Sequence, residues 1–91
     1  MAFTKEEAIE QAREDLAERL GIGAAEIKGE TVEDADFPDL ALGAAANGEM
    51  SGQMITPGWR IRLTAKGESF EYRANKHQLR LSNFKGANYK V

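Results

Sequence analysis

Apolar residues near the start of the chain recur at Ile9, Ala12, Leu16 and Leu20. Spacings of three and four draw one apolar stripe along an otherwise charged cylinder. Ahead of the stripe, Thr4-Lys5-Glu6-Glu7 has the form of a capping box, in which the Thr4 hydroxyl accepts from the Glu7 N–H and the Glu7 carboxylate reaches back to the Thr4 N–H. Behind it, Gly21 supplies a left-handed residue, and Ile22 is placed to fold back onto Leu16 or Ala17. The pattern predicts a helix over residues 4–20. Gly23 to Glu26 reads as a turn, followed by a short strand over Ile27 to Glu33 that Gly29 interrupts.

From Trp59 the period changes to two: Trp59, Ile61, Leu63 and Ala65 alternate with Arg60, Arg62, Thr64 and Lys66. Phe70, Tyr72 and Ala74 alternate with Glu71 and Arg73 in the same way. If Lys66-Gly67 forms the loop of a hairpin over residues 59–74, Leu63 faces Phe70, Ile61 faces Tyr72 and Trp59 faces Ala74, so all six apolar side chains share one face. On the other face Arg62 meets Glu71, and Arg60 lies opposite Arg73, a like-charge pair that is unfavourable unless something anionic sits nearby. Asn75 to Gln78 reads as a turn, residues 79–83 as a third strand, and residues 85–91 as a loose polar tail. Residues 35–56 carry no period. They hold Gly43, Gly48 and Gly52, three consecutive alanines, and corners at Phe37-Pro38-Asp39 and Thr56-Pro57-Gly58. A connection this long in a small domain is uncommon unless it is functional or disordered, which makes it the place to look for a working surface.

The expected fold is α+β: one N-terminal helix packed on a three- to four-stranded antiparallel sheet, with a long irregular loop. Ile9, Ala12, Leu16 and Leu20 are expected to lie across Trp59, Ile61, Leu63, Phe70, Tyr72 and Leu81. A chain of 91 residues is one domain's length, and a domain of that size buries about 60–65% of the surface its unfolded chain exposes. It has no cysteine, which excludes a disulfide framework, a thiolate metal site and a cysteine nucleophile. No window approaches the roughly 18 apolar residues of a membrane span. The opening Met1-Ala2-Phe3-Thr4-Lys5 does not have the form of a signal peptide.

Charge is unevenly placed. Residues 1–45 carry twelve acids against four bases, net −8, and residues 46–91 carry eight bases against three acids, net +5. The asymmetry either steers acidic partners to the C-terminal half or only solvates two faces.

Few residues carry recognisable chemistry. His77 is the only histidine and falls in a predicted turn with no base or second ligand beside it. Ser51, Ser69 and Ser82 lack a nucleophile-elbow setting, and no phosphate loop or dinucleotide fingerprint is present. Glu33, Asp34, Asp36 and Asp39 cluster without the glycine and distal glutamate of a calcium loop, and read as a solvating acidic segment. Arg60, Arg62, Lys66 and Arg73 form a basic strand face, but Trp59, Phe70 and Tyr72 point the other way, which argues against stacking on a nucleic acid. Neither catalytic residues, nor a cofactor, nor a metal is expected. Met50 and Met54 read either as adaptable contact residues or as fillers of a small core.

Phe37-Pro38-Asp39-Leu40-Ala41-Leu42-Gly43, Gln53, Thr56-Pro57-Gly58-Trp59-Arg60-Ile61-Arg62-Leu63, Gly67 and Phe70-Glu71-Tyr72 together resemble an uncharacterised bacterial domain family. Its members read tryptophan-proline-aspartate, then leucine-glycine-cysteine, then proline-glycine-tyrosine-arginine-isoleucine. Here Phe37 stands in place of the tryptophan, Ala44 in place of the cysteine and Ser51 in place of a tyrosine. The resemblance implies a short exported or cell-envelope protein. A capped helix followed by an antiparallel hairpin also resembles the PepSY layout, which implies a protease inhibitor or regulator.

The functional expectation is a non-enzymatic protein-binding module. Its contact residues are expected to be Gly48, Met50, Gln53, Met54 and Pro57 from the loop, with Arg60, Arg62 and Arg73 as a basic rim. Its partner is expected to be another protein. The competing expectation is a structural or self-associating domain, in which the basic strand face of one copy meets the acidic helix of another.

Overall fold

The computed structural model describes residues 3–91. Thr4 caps the helix α1 (Lys5–Leu20) as the capping box requires: its hydroxyl accepts from the Glu7 N–H at 3.1 Å, and its own N–H donates to the Glu7 carboxylate at 2.9 Å. At the other end Gly21 is left-handed at φ 67°, and the Ile22 N–H donates to the Ala17 carbonyl at 3.0 Å, which closes a Schellman turn. A 3₁₀ turn (Ala24–Glu26) leads into β1 (Ile27–Phe37).

Four further strands follow: β2 (Thr56–Ala65), β3 (Glu68–Ala74), β4 (Leu79–Phe84) and β5 (Ala87–Lys90). All five form one antiparallel meander in chain order. The β2–β3 register matches the pattern of the sequence, with Leu63 opposite Phe70, Ile61 opposite Tyr72 and Trp59 opposite Ala74. Lys66 and Gly67 both take positive φ, 52° and 75°, the twist that a two-residue hairpin needs.

Two expectations are corrected. The sheet has five strands rather than three or four, because residues 85–91 do not trail loosely. Lys85 and Gly86 repeat the Lys66-Gly67 turn at φ 51° and 84°, returning the chain as β5 against β4. The side chain of Asn88 accepts from the Asn83 N–H at 2.8 Å, and the Val91 N–H donates to the Leu79 carbonyl at 3.0 Å. The first strand also runs on past Glu33 to Phe37, absorbing Gly29 in an irregularity of register near its start. Glu33 pairs across the ladder with Arg60 and Asp36 with Pro57, so Glu33, Asp34 and Asp36 are strand residues and only Asp39 of that cluster lies in the loop.

The helix lies on one face of the sheet. Ala8, Ala12 and Leu16 are fully buried against Ile61, Leu63, Tyr72, Ala74 and Leu81, with Ile9, Leu20, Trp59 and Phe70 packed around them half-buried. The buried line is therefore rotated from the one centred on Ile9 and Leu20. Two alanines bring the helix close to the sheet, and the larger side chains fill the flanks. The centre of this layer carries a polar tie: the Tyr72 hydroxyl donates to the Asp15 carboxylate at 2.7 Å, and Arg19 donates to the same oxygen at 2.7 Å. Burial, reinforced by Asp15, holds the Tyr72 phenol well above the usual tyrosine range.

Candidate functional site

The other face of the sheet belongs to the arginines and to the connection over residues 38–55. β2, β3 and β4 point Arg60, Arg62, Arg73 and Arg80 to this side because side chains alternate along each strand. The connection does not hang free. Ala41, Leu42 and Ala44 are buried, with Phe37 buried beside them.

Arg73 donates from Nη1 to the carbonyls of Leu42 and Gly43, both at 3.1 Å. Gln78 donates to the Leu40 carbonyl at 2.7 Å, and Asn88 to the Ala45 carbonyl at 2.9 Å. Arg80, only 6% exposed, forks onto Glu49, with its Nη2 2.8 Å from Oε2. Glu49 also accepts from the Ala46 N–H at 2.9 Å and lies 3.3 Å from the Lys90 ammonium. The Arg80 guanidinium, aided by the Ala46 N–H, lowers the Glu49 carboxyl to a pKa of about 2. Within the connection, Asp39 Oδ1 accepts from the N–H groups of Ala41 and Gly43, each at 2.9 Å.

Two glycines are required here. A side chain at Gly43, whose φ is 67°, would run into the Arg73 guanidinium at 2.7 Å. A Cβ at Gly58 would sit 2.3 Å from the Ala74 carbonyl oxygen and 3.1 Å from the Phe37 ring. Phe37 lies over that glycine, with the guanidinium carbons of Arg60 and Arg73 at 5.7 and 5.4 Å from its ring centre.

The like-charge neighbours Arg60 and Arg73 are reconciled by Glu71. It takes a hydrogen bond from Arg73 at 2.7 Å, and lies 3.5 Å from Arg60 and 3.4 Å from Arg62. Glu33 adds a second partner to Arg60 at 2.9 Å. Partial burial works against the charge on Glu71, but the three arginines outweigh it and hold the carboxyl below the usual range. A free basic rim is thus replaced by an ion-pair network. Arg62 is the most exposed of the three, while Arg60 and Arg73 are struts. On the basic strand face that charge-driven self-association would use, Arg73 is taken up by the connection and Arg60 by Glu33 and Glu71, while Arg62 stays exposed beside Glu71.

The remaining residues singled out from the sequence lie elsewhere. Gly48 is left-handed at φ 82° in the turn where the Glu49 N–H donates to the Ala46 carbonyl. Gln53 is exposed, and Pro57 is exposed at the start of β2. The methionines do not plug the core: Met50 is 96% and Met54 62% exposed, and next to them Ile55 is 71% and Leu40 47% exposed. The connection therefore has an anchored base and an apolar crest. His77 is exposed in a turn closed by Asn75, whose side chain accepts from the N–H groups of His77 and Gln78 at 2.8 and 3.0 Å.

Sequence reasoning missed Phe37, Glu49, Gln78, Arg80 and Asn88 as parts of this arrangement. A signal existed for one pair: Glu49 is the only acid between Asp39 and Glu68, and Arg80 is the lone cation between Leu79 and Leu81. No helix among the described residues is long and apolar enough to cross a membrane.

Residues 9–82 match the family described as a domain of unknown function, DUF8738. Neither a curated protein nor a solved structure matches the chain.

Proposed function

The chain belongs to the DUF8738 family, and from that premise we propose that it is a non-enzymatic protein-binding module whose contact segment is the crest of the 38–55 connection. The observation that carries this reading is the exposure of Leu40, Met50, Met54 and Ile55 on a segment whose base is pinned by Arg73, Gln78, Arg80 and Asn88. Four large apolar side chains held in water on one connection are unfavourable for a monomer, and burying each is worth about 1.5–3 kcal/mol. Because the base is fixed, less conformational freedom is lost when a partner covers the crest. Gly48 and Gln53 flank the apolar residues and supply backbone and amide hydrogen-bonding groups.

The titratable groups beneath the connection are occupied in holding it, which is why the reading is non-enzymatic. Glu49 and Glu71 serve as acceptors for arginines, and Arg73 and Arg80 as donors to carbonyls and carboxylates. The layout resemblance to PepSY makes a protease the first partner class to offer.

The test compares the parent with Met50→Ser/Met54→Ser/Ile55→Ser. Both are expected to melt together, because these side chains are exposed. Capture of a specific protein from extract, identified by mass spectrometry and reproduced with the purified partner, is expected for the parent and lost in the variant. Equal capture by both would overturn the crest as contact segment. Concentration-dependent sedimentation of the parent, abolished in the variant, would make the partner a second copy.

A further inference from the structure

We propose that the groove at the open end of the helix-side face of the sheet is a binding site for a neutral pyranose sugar, stacked on Trp59. The helix begins at Lys5 and does not cover the whole sheet. Past it, the end of β1, the start of β2 and the β3–β4 turn enclose an open groove of about 630 Å³. That volume lies within the range of small-ligand sites, about 300–1,000 Å³.

The ladder shows what points into it. Asp34 pairs with Trp59, and Asp36 with Pro57. Alternation then places all four side chains on the face where Trp59 also meets the helix-side core. Trp59 and Pro57 supply an apolar floor, and Trp59, half-buried, is held in place by that core. Asp34 and Asp36 stand along one side, and the turn bearing Lys76 and His77 along the other.

The chemistry of the rim selects the ligand. Carboxylates on one side and an ammonium and an imidazole on the other do not make a field of one sign. The Asp34 carboxylate is moreover already approached by the Lys5 ammonium at 3.5 Å. A lone cation or anion therefore gains on one side of the groove and loses on the other. A sugar suits both sides: its hydroxyls donate to carboxylates and accept from ammonium and imidazole N–H groups, and its C–H face lies flat on an indole. Asp36 enters no ion pair among the described residues, so its oxygens are available as acceptors.

Trp59 is the only tryptophan, so the protein's tryptophan fluorescence comes from a residue of this groove. The full chain is titrated with maltose, cellobiose and N,N′-diacetylchitobiose, and separately with a Gly-Arg-Gly peptide. At least one sugar is expected to change the emission saturably. Amide NMR shifts are expected to be confined to residues 34–36, 56, 58, 59 and 75–77. Asp36→Ala, an exposed position, is expected to keep the parent's melting curve and weaken that sugar about tenfold, the effect of removing a positioned acceptor. Lys76→Ala, tested in parallel, is expected to weaken it without altering the fold. Absence of a saturable response to all three sugars, a response only to the cationic peptide, or unchanged affinity in both variants would each overturn the proposal.

Discussion

On the helix side of the sheet, Leu16 and two alanines meet Ile61, Leu63 and Leu81. On the other side, Phe37, Leu42 and Ala44 meet a surface built on arginines. The first layer is held mainly by apolar burial, with polar ties only at Tyr72–Asp15 and along the helix edge at Arg13–Glu30 and Lys5–Asp34, and responds to the loss of volume. The second buries apolar groups too, but it is located by charged donors that reach for main-chain carbonyls and for two glutamates. Its integrity depends on protonation, since a fork such as Arg80–Glu49 persists only while the carboxylate is ionised. Two sides of one sheet can thus be closed by different forces. The side closed by hydrogen bonds is the one that leaves Met50 and Met54 exposed.

The contrast is sharpest under core truncation. Leu16→Ala is expected to cost about 2–5 kcal/mol, a large part of the stability of so small a domain. It should appear in chemical denaturation as one cooperative shift that lowers both layers together. A melt indistinguishable from the parent would mean that Leu16 is not central to the helix-side layer.

A smaller, local effect separates the two faces by pH. The Glu49 carboxyl titrates at about 2 in the fold against 4.5 without its partners. A lowered value means that its contribution is complete above the ordinary pKa and is lost as pH falls from 4.5 towards 2. Amides of residues 40–49 are expected to lose exchange protection across that window before those of the helix do, and Glu49→Gln should abolish the difference. The helix-side layer has the opposite sign: the raised Tyr72 phenol favours folding below the ordinary tyrosine range near pH 10 and loses that contribution as pH rises above it. Absorbance titration of tyrosine alongside circular dichroism is expected to show ionisation of Tyr72 only together with unfolding.

The smallest effect tests the start of the helix. Thr4→Ala removes the acceptor of the Glu7 N–H, and is expected to cost about 0.5–2 kcal/mol without moving the loop-side resonances. Coupled shifts on both faces would show that the layers are less separate than their contacts indicate.

Features written in short spacing were legible. The capping box at Thr4, the left-handed Gly21 and the β2–β3 register depend on residues a few positions apart, where backbone sterics and alternation leave few choices. The same logic applied to Lys85-Gly86, whose turn copies Lys66-Gly67, but the strand after it, Ala87-Asn88-Tyr89-Lys90, carries too little apolar alternation to announce itself. Its pairing is secured by β4 and by the Asn88 side chain, partners that the local pattern does not contain.

The candidate site was the least legible part. Exposure of Met50 and Met54, and the use of Arg73 as a strut, follow from where residues 38–55 settle on the sheet, and Arg60 is taken up by Glu33 once β1 pairs with β2. Glu49 meets Arg80 across 31 positions and Arg73 meets Leu42 across the same span. Local conformational preference decides helices and two-residue turns because their atoms interact within one or two turns of chain. Which charge neutralises which, and which apolar side chain stays in water, is decided only once distant segments share a surface, because burial and ion pairing are properties of that surface rather than of any stretch of sequence.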